Sequence, residues 1–286
     1  GNRAQLLVGQ DAAWLELAGQ LAAQDPLAAR ALHATLAQTS LRPETRQQAH
    51  DRFARLLAAE PRGAALLQRL YLDSPRFADL ATVPEAVRHL LAERALADGD
   101  LRLASRLLAG LDAPPDTADG FAWRLRRVRV LVLGGDPARG ALELGRLVEA
   151  DPVATTAQFE RVLQVVFDLQ TVGEHAAAIA LLERLGPLAA DDRQRRELPF
   201  WVADSHRAAG RPLEAARAYL RSATLLDPFA LDEWAQSARY QAAKSLAAAG
   251  LVADARNLLQ MLLNATRDPG RRATLQRDLQ QLWLLE

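Results

Sequence analysis

The sequence predicts an all-α fold, a right-handed α-solenoid of antiparallel helix pairs that ends in a C-terminal capping helix. Half of the 286 residues are apolar and only 5% are aromatic. The abundance of Ala and Leu favours helices. Glycines recur at intervals of 36 to 40 residues, at Gly99, Gly135, Gly173, Gly210 and Gly250. A small residue follows each glycine five positions later and a large one nine positions later, and such a period indicates a repeat architecture.

Residues 1–80 carry the weakest periodicity and predict degenerate N-terminal helical hairpins. Trp14 to Leu21 reads as a first helix, and Asp25-Pro26 starts a second that runs to Ala37. Another pair is predicted at residues 43–59 and 62–72, bounded by Thr39-Ser40 and Glu60-Pro61.

Residues 81–270 predict five helix pairs, one around each spaced glycine. Glycine adopts the positive φ that often ends a helix, and a small residue lets two antiparallel helices approach closely. The predicted pairs are 85–98 with 101–111, 121–134 with 137–150, 156–171 with 176–185, 198–209 with 212–226, and 232–249 with 252–266.

Aspartate–proline steps recur at Asp151-Pro152, Asp227-Pro228 and Asp268-Pro269, where the aspartate is expected to cap a following helix. The last predicted helix, 271–284 within a terminal segment 271–286, has Leu275, Leu279 and Leu282 on one side. It is expected to cover the open apolar end that a helical solenoid presents.

The units resemble the tetratricopeptide repeat (TPR), with small or apolar residues before the turn glycine, a small residue after it and a larger one beyond. The best unit has Val128, Leu131, Gly140, Leu144 and Pro152 around Gly135. The units depart from the TPR pattern in length, since the TPR period is 34 residues. Several also lack the large residue usual eleven positions before the glycine. The resemblance covers residues 84 to about 269 and implies a protein-binding scaffold.

The resemblance further implies that the first helix of each pair lines a concave groove that binds a partner peptide or helix. Leu163 falls at one of the groove positions. The candidate groove residues are His89, Glu93, Arg129, Glu160, Phe167, Gln170, Glu197, Phe200, Asp204, Arg207, Tyr240 and Lys244. Whether Trp123, Trp201 and Trp234 face the groove or pack between repeats stays open.

Two arginine groups carry alternative interpretations. Arg124, Arg126, Arg127 and Arg129 share one predicted helix, and Arg193, Arg195 and Arg196 fall in a predicted loop. They are either anchors for an acidic partner or a solvated surface balanced by nearby glutamates.

No catalytic, metal or cofactor site is predicted. The five histidines are far apart, there is no cysteine, and no HExxH or phosphate-loop spacing occurs. Asp204-Ser205-His206 holds three triad residue types, but neighbours on a helix point in different directions. The expectation is therefore a chain that is not an enzyme.

Composition bounds the partners and the setting. Thirty-five basic and 35 acidic residues cancel, so a nucleic-acid partner is not expected. Lys244 is the only lysine, and this arginine bias predicts a bacterial source. Because the sequence begins with Gly1 and not with methionine, we expect that a segment has been removed. Such a segment would allow membrane association and a periplasmic location as part of an envelope protein. The leading hypothesis is a protein-binding scaffold of a bacterial assembly, with homo-oligomers allowed. The alternative is a regulatory or sensor module of a larger protein, such as a transcription regulator.

Overall fold

The computed structural model describes residues 11–115, 119–150 and 155–284, and this part of the chain contains 15 α-helices and no strand. The all-α prediction is confirmed. The chain divides into two compact units, Gly1–Asp136 and Pro137–Glu286. No helix among the described residues is long and apolar enough to cross a membrane.

Unit 1 begins with two helix pairs and a turn-rich connection. Its helices are α1 (Asp11–Leu21), α2 (Pro26–Thr39), α3 (Pro43–Ala58), α4 (Gly63–Leu67), α5 (Glu85–Ala97), α6 (Leu101–Leu108) and α7 (Gly120–Leu133). A π-helical turn, Gln68–Leu72, continues α4, and two 3-10 turns lead to α5. One of its core clusters runs from Ala54 to Val130.

Unit 2 contains the remaining eight helices. They are α8 (Pro137–Ala150), α9 (Thr156–Thr171), α10 (His175–Leu185), α11 (Asp192–Ala208), α12 (Pro212–Thr224), α13 (Glu233–Ala248), α14 (Val252–Ala265) and α15 (Pro269–Trp283). Consecutive helices from α9 to α15 pack against each other. Leu275, Leu279 and Leu282 of α15 join the core cluster that contains Leu259 and Leu262 of α14.

The spaced glycines occupy the turns for which the sequence predicts them. All five have positive φ, between 71° and 102°. The small residues five positions later are buried, and Ala104, Ala178, Ala215 and Ala255 have no exposed surface. The large residues nine positions later are buried as well, with Tyr219 fully enclosed. The helix pairs around Gly99, Gly173, Gly210 and Gly250 are therefore TPR-like by their own turn geometry and packing.

Helix α11 corrects one predicted boundary. It begins at Asp192, six residues before the predicted start at Leu198, because Asp191 accepts a 2.8 Å hydrogen bond from the Gln194 backbone N–H and caps the helix. Pro199 lies inside the helix rather than near its start. The loop prediction for Arg193, Arg195 and Arg196 is consequently wrong, since all three lie on α11.

The aspartate–proline steps behave differently from one another. Asp268 caps α15, accepting from the Arg271 N–H at 2.7 Å, as predicted. Asp227 caps no helix, because α13 starts later and is capped by Asp232. Asp227 instead accepts from the Phe229 N–H within a loop. The Asp151-Pro152 step lies outside the described residues.

Buried arginines bind backbone carbonyls at the end of α6 and in the loop after α12. The guanidinium of Arg88 donates to the carbonyl of Leu107 at 2.9 Å and to that of Ala109. Arg239 donates to the carbonyl of Pro228 at 2.8 Å and to that of Ala230. Arg88 and Arg239 both stand eleven positions before a turn glycine, where the usual large residue is missing. They fill that volume; Arg88 pairs carbonyls that a helix leaves free at its end, and Arg239 pairs carbonyls of a loop.

Candidate partner-binding surface

The first helices α9 and α11 of two successive pairs enclose a hollow in unit 2. Its volume is about 350 Å³. We define the first-helix hollow by its lining residues Phe167, Gln170, Thr171, His175, Trp201, Asp204, Ser205, Arg207 and Ala208. Four of the predicted groove residues are therefore brought together here, two from each helix.

Aromatic rings form the apolar side of the first-helix hollow. Phe167 and Trp201 meet edge to face with ring centroids 5.0 Å apart, and both are half-buried. Phe200 does not line the hollow. Its ring packs between Tyr219 and Trp234, each 5.0 Å away, within the core of unit 2. Phe200 thus serves internal packing, whereas Phe167 and Trp201 present ring surface to the hollow.

Polar groups form the other side and are held in place by one another. Gln170 joins α9 to α11, because its Nε2 donates to the Trp201 carbonyl at 3.0 Å and to Ser205 Oγ at 2.6 Å. Asp204 accepts from Arg207 Nη2 at 3.0 Å and from the Tyr219 hydroxyl. Burial, with the hydrogen bond to Asp204, raises the pKa of Tyr219, so its hydroxyl stays protonated and donates. Arg207 Nε completes the network by donating to the Tyr219 hydroxyl at 3.2 Å.

A second hollow of about 410 Å³ adjoins the first at Arg207. We define the second hollow by Arg207, Gly210, Pro212, Gln241, Lys244, Ser245 and Ala248. The Lys244 ammonium lies 5.8 Å from the centre of the Tyr240 ring. No ion pair joins it to another residue in the described part of the chain. Tyr240 itself donates to Asp278 Oδ2 at 2.6 Å, which ties α13 to α15.

The two glutamate candidates of unit 2 are engaged with one arginine. Arg193 Nη2 lies 3.3 Å from Glu160 Oε1, and Arg193 Nε lies 3.7 Å from Glu197 Oε1. Arg193 therefore links α11 to α9. Burial raises the pKa of Glu197, and the positive charge of Arg193 partly offsets this rise. Leu163 also falls at a predicted groove position, but its side chain is 7% exposed and belongs to the interior.

The three candidates of unit 1 are described separately. His89 stacks edge to face on Trp123 at 5.5 Å, and burial lowers its pKa. Glu93 accepts two hydrogen bonds from Arg126, at 2.7 and 2.8 Å. Arg129 is exposed on α7. Of the neighbouring arginines, Arg127 is buried and donates to the Leu108 carbonyl at 3.1 Å.

Sequence reasoning missed Ser205, Thr171 and His175 as lining residues and left the position of Trp201 open. Trp201 lines the hollow, whereas the neighbouring Phe200, a predicted groove residue, does not. No local sequence signal distinguishes the two rings, because the position of Phe200 depends on its packing against Tyr219 and Trp234. No group of three or more histidine, aspartate or glutamate side chains that could hold a metal ion occurs in the described ranges.

Comparison with known proteins yields fold-level likeness alone. No family model matches the sequence, and no curated protein matches it. A structure of a kinesin light chain from Podosopora anserina with nearly identical TPR-like repeats is 16% identical, with a TM-score of 0.41. The match covers 62% of this chain and 92% of that one. The TPR domain of P58(IPK) is 14% identical, with a TM-score of 0.32, over 97% of this chain and 80% of that one. Scores of this size do not carry the repeat assignment, which rests on the helix pairs themselves.

Proposed function

We propose that the chain is a non-enzymatic scaffold and that the two adjoining hollows of unit 2 bind an extended peptide or a helix of a partner protein. The observation that supports this most directly is their continuity at Arg207. Together they offer an aromatic surface, a fixed set of hydrogen-bonding groups and a lysine within one strip of surface.

The chemistry of the strip suits a partner with an apolar side chain followed by an acidic one. Phe167 and Trp201 offer the ring surface that anchor residues of interfaces use. Arg207 and Lys244 would face the acidic group, and Lys244 has no competing ion pair among described residues. Because the Asp204–Arg207–Tyr219 network is already ordered, binding would require little further immobilisation of side chains.

The setting we propose is a bacterial assembly, on the strength of the arginine-rich, almost lysine-free composition. The partner would be captured from the source cell with the intact chain and identified. Its affinity would then be measured by calorimetry against defined variants.

The test uses Phe167→Ala and Lys244→Ala, singly and together. Loss of an interface anchor is expected to weaken partner binding about 10-fold to 100-fold, with helicity retained. Phe200→Ala is unsuitable because Phe200 packs inside unit 2. Arg146→Ala is the matched control, since Arg146 is an exposed residue of the second helix α8. Unchanged affinity in the double variant would remove these hollows as the binding surface.

A further inference from the structure

A larger trough lies on the other side of α11 from the first-helix hollow. Its volume is about 970 Å³, and it is lined by α10, α11 and α12. Val202 lines this trough and Asp204 the first-helix hollow. Two positions apart on a helix, their side chains point to nearly opposite sides. Leu198, Pro199 and Val202 give the trough an apolar floor. We call it the outer trough.

Helix α12 contributes two arginines to the wall of the outer trough. Arg217 and Arg221 stand one turn apart on α12 and are exposed. Neither forms an ion pair with another described residue. The outer trough therefore combines an apolar floor with two exposed arginines that form no ion pair with a described residue. It is also lined by Glu183, Asp192, Arg195 and Glu214.

Directly after α12 the chain forms an exposed apolar loop with acidic residues. Residues 226–233 read Leu-Asp-Pro-Phe-Ala-Leu-Asp-Glu, and we call this segment the Phe229 knob. Phe229 is 87% exposed, the most exposed aromatic ring among the described residues. Asp227 and Glu233 are exposed acids on the same segment.

The Phe229 knob is held in a fixed shape. The buried Arg239 guanidinium binds the carbonyls of Pro228 and Ala230, on both sides of Phe229. Asp227 Oδ1 accepts from the Phe229 N–H at 2.8 Å, and the Ala230 N–H donates to the Asp227 carbonyl at 3.1 Å. A large aromatic ring is thus exposed to water on a loop that is already ordered. Anchor residues of protein interfaces show the same arrangement.

We propose that the Phe229 knob of one copy of this chain docks in the outer trough of a second copy. The Phe229 ring would cover the apolar floor, and Asp227 and Glu233 would face Arg217 and Arg221. Zero net charge of the chain leaves little long-range repulsion between copies. Since knob and trough both adjoin the end of α12, a two-fold axis lets two copies exchange them reciprocally. This inference is independent of the partner surface proposed above.

Sedimentation equilibrium of the intact chain over a concentration series tests the proposal. The unaltered chain is expected to form dimers. Phe229→Asp is expected to raise the dissociation constant at least about 30-fold. Arg217→Glu combined with Arg221→Glu is expected to weaken the dimer as well, because it opposes two acids to the knob. Leu142→Asp is the control, since Leu142 is 56% exposed on α8, outside both features.

Mixing the variants distinguishes reciprocal docking from a general loss of self-association. The Phe229→Asp chain keeps its trough, and the doubly reversed arginine variant keeps its knob. The mixed dimer keeps one contact with both sides unaltered, whereas both contacts are altered in either variant dimer. Additive losses place its dissociation constant between those of the two variant dimers, and a contact that one substitution abolishes makes the mixed dimer the tightest of the three. A monomeric unaltered chain, a dimer that is insensitive to Phe229→Asp, or a mixed dimer weaker than both variant dimers would each overturn the proposal.

Discussion

Individual buried arginine residues make hydrogen bonds to backbone carbonyls that lysine could not reproduce. Arg88 is 5% exposed and pairs two carbonyls at the end of α6 with one planar group. A lysine ammonium is a point donor on a flexible stem and cannot reproduce this fork. The arginine bias of the composition therefore also serves the fold.

Arg88→Lys should lower the free energy of unfolding by about 1.5–3 kcal/mol, the range for hydrogen bonds to charged groups. Urea unfolding followed by circular dichroism measures the change. Arg94→Lys is the matched control on the same helix, because Arg94 is exposed and pairs only with Asp98. It should stay within about 0.5 kcal/mol. Equal stability of the two variants would contradict the role given to Arg88.

His50 should make stability depend on pH. It is 7% exposed, and its Nδ1 lies 2.8 Å from the Tyr71 hydroxyl. Burial, aided by the charges of Arg76 and Arg46, lowers its pKa from 6.5 to about 4. Between these values the unfolded chain binds a proton that the folded chain does not. Stability contributed by His50 is therefore complete above pH 6.5 and is lost as the pH falls toward 4.

The expected slope for His50 approaches 1.4 kcal/mol per pH unit within that window. Urea unfolding of the unaltered chain and of His50→Gln at several pH values measures it as a difference, which cancels the other histidines. Glutamine keeps a partner for the Tyr71 hydroxyl without titrating there. Parallel pH profiles of the two chains would show that His50 is not the group responsible.

The turn between the two helices of a pair places a strict conformational requirement on the residue at its centre. Gly173 has φ of 90°, a conformation that strains any residue with a Cβ atom, although nothing lies within 4 Å of the Cβ position. Gly173→Ala should therefore cost about 1 kcal/mol or more of stability. Gly186 has φ of −51° and equally open surroundings, so Gly186→Ala should be neutral or slightly stabilising. Thermal unfolding of both variants compares them directly, and equal losses would refute the strain argument.

The parts of the helix pattern that the sequence could predict are those that depend on residues close together in the chain. The turn at Gly173 and the tight contact at Ala178 depend on neighbours along the chain, so their spacing alone predicts both. The start of α11 depends on the Asp191 cap competing with Pro199, and a proline inside a helix ordinarily indicates a boundary. The loop after Asp227 depends on the buried Arg239, which lies on the next helix.

At the scale of the whole chain, α15 closes the apolar end of unit 2. Leu275 and Leu279 are buried against the cluster of Leu259, Leu262 and Leu263. The Trp283 ring lies 4.2 Å from the Arg256 guanidinium. A chain ending before Pro269 should expose this cluster, bind more of a hydrophobic dye and associate non-specifically. Dye fluorescence and light scattering measure both effects, and a monodisperse truncated chain with unchanged dye binding would show that α15 is not a cap.

The proposed partner surface was less accessible to prediction than the fold. The resemblance implies Phe167, Gln170, Asp204 and Arg207, and these four residues line one hollow. It could not tell which ring of the Phe200–Trp201 pair faces outward, because that depends on the packing of Tyr219 and Trp234. Nor could it indicate that Glu160 and Glu197 share Arg193, a contact that depends on where α11 begins.

The scarcity of lysine gives the second hollow a practical use. Lys244 carries the only side-chain amine of the chain and is exposed at the rim of that hollow. An amine-reactive reagent would therefore modify one side chain besides the α-amino group, with no engineered cysteine. A bound ligand would shield that amine, so the rate of its acylation would report occupancy of the neighbouring surface.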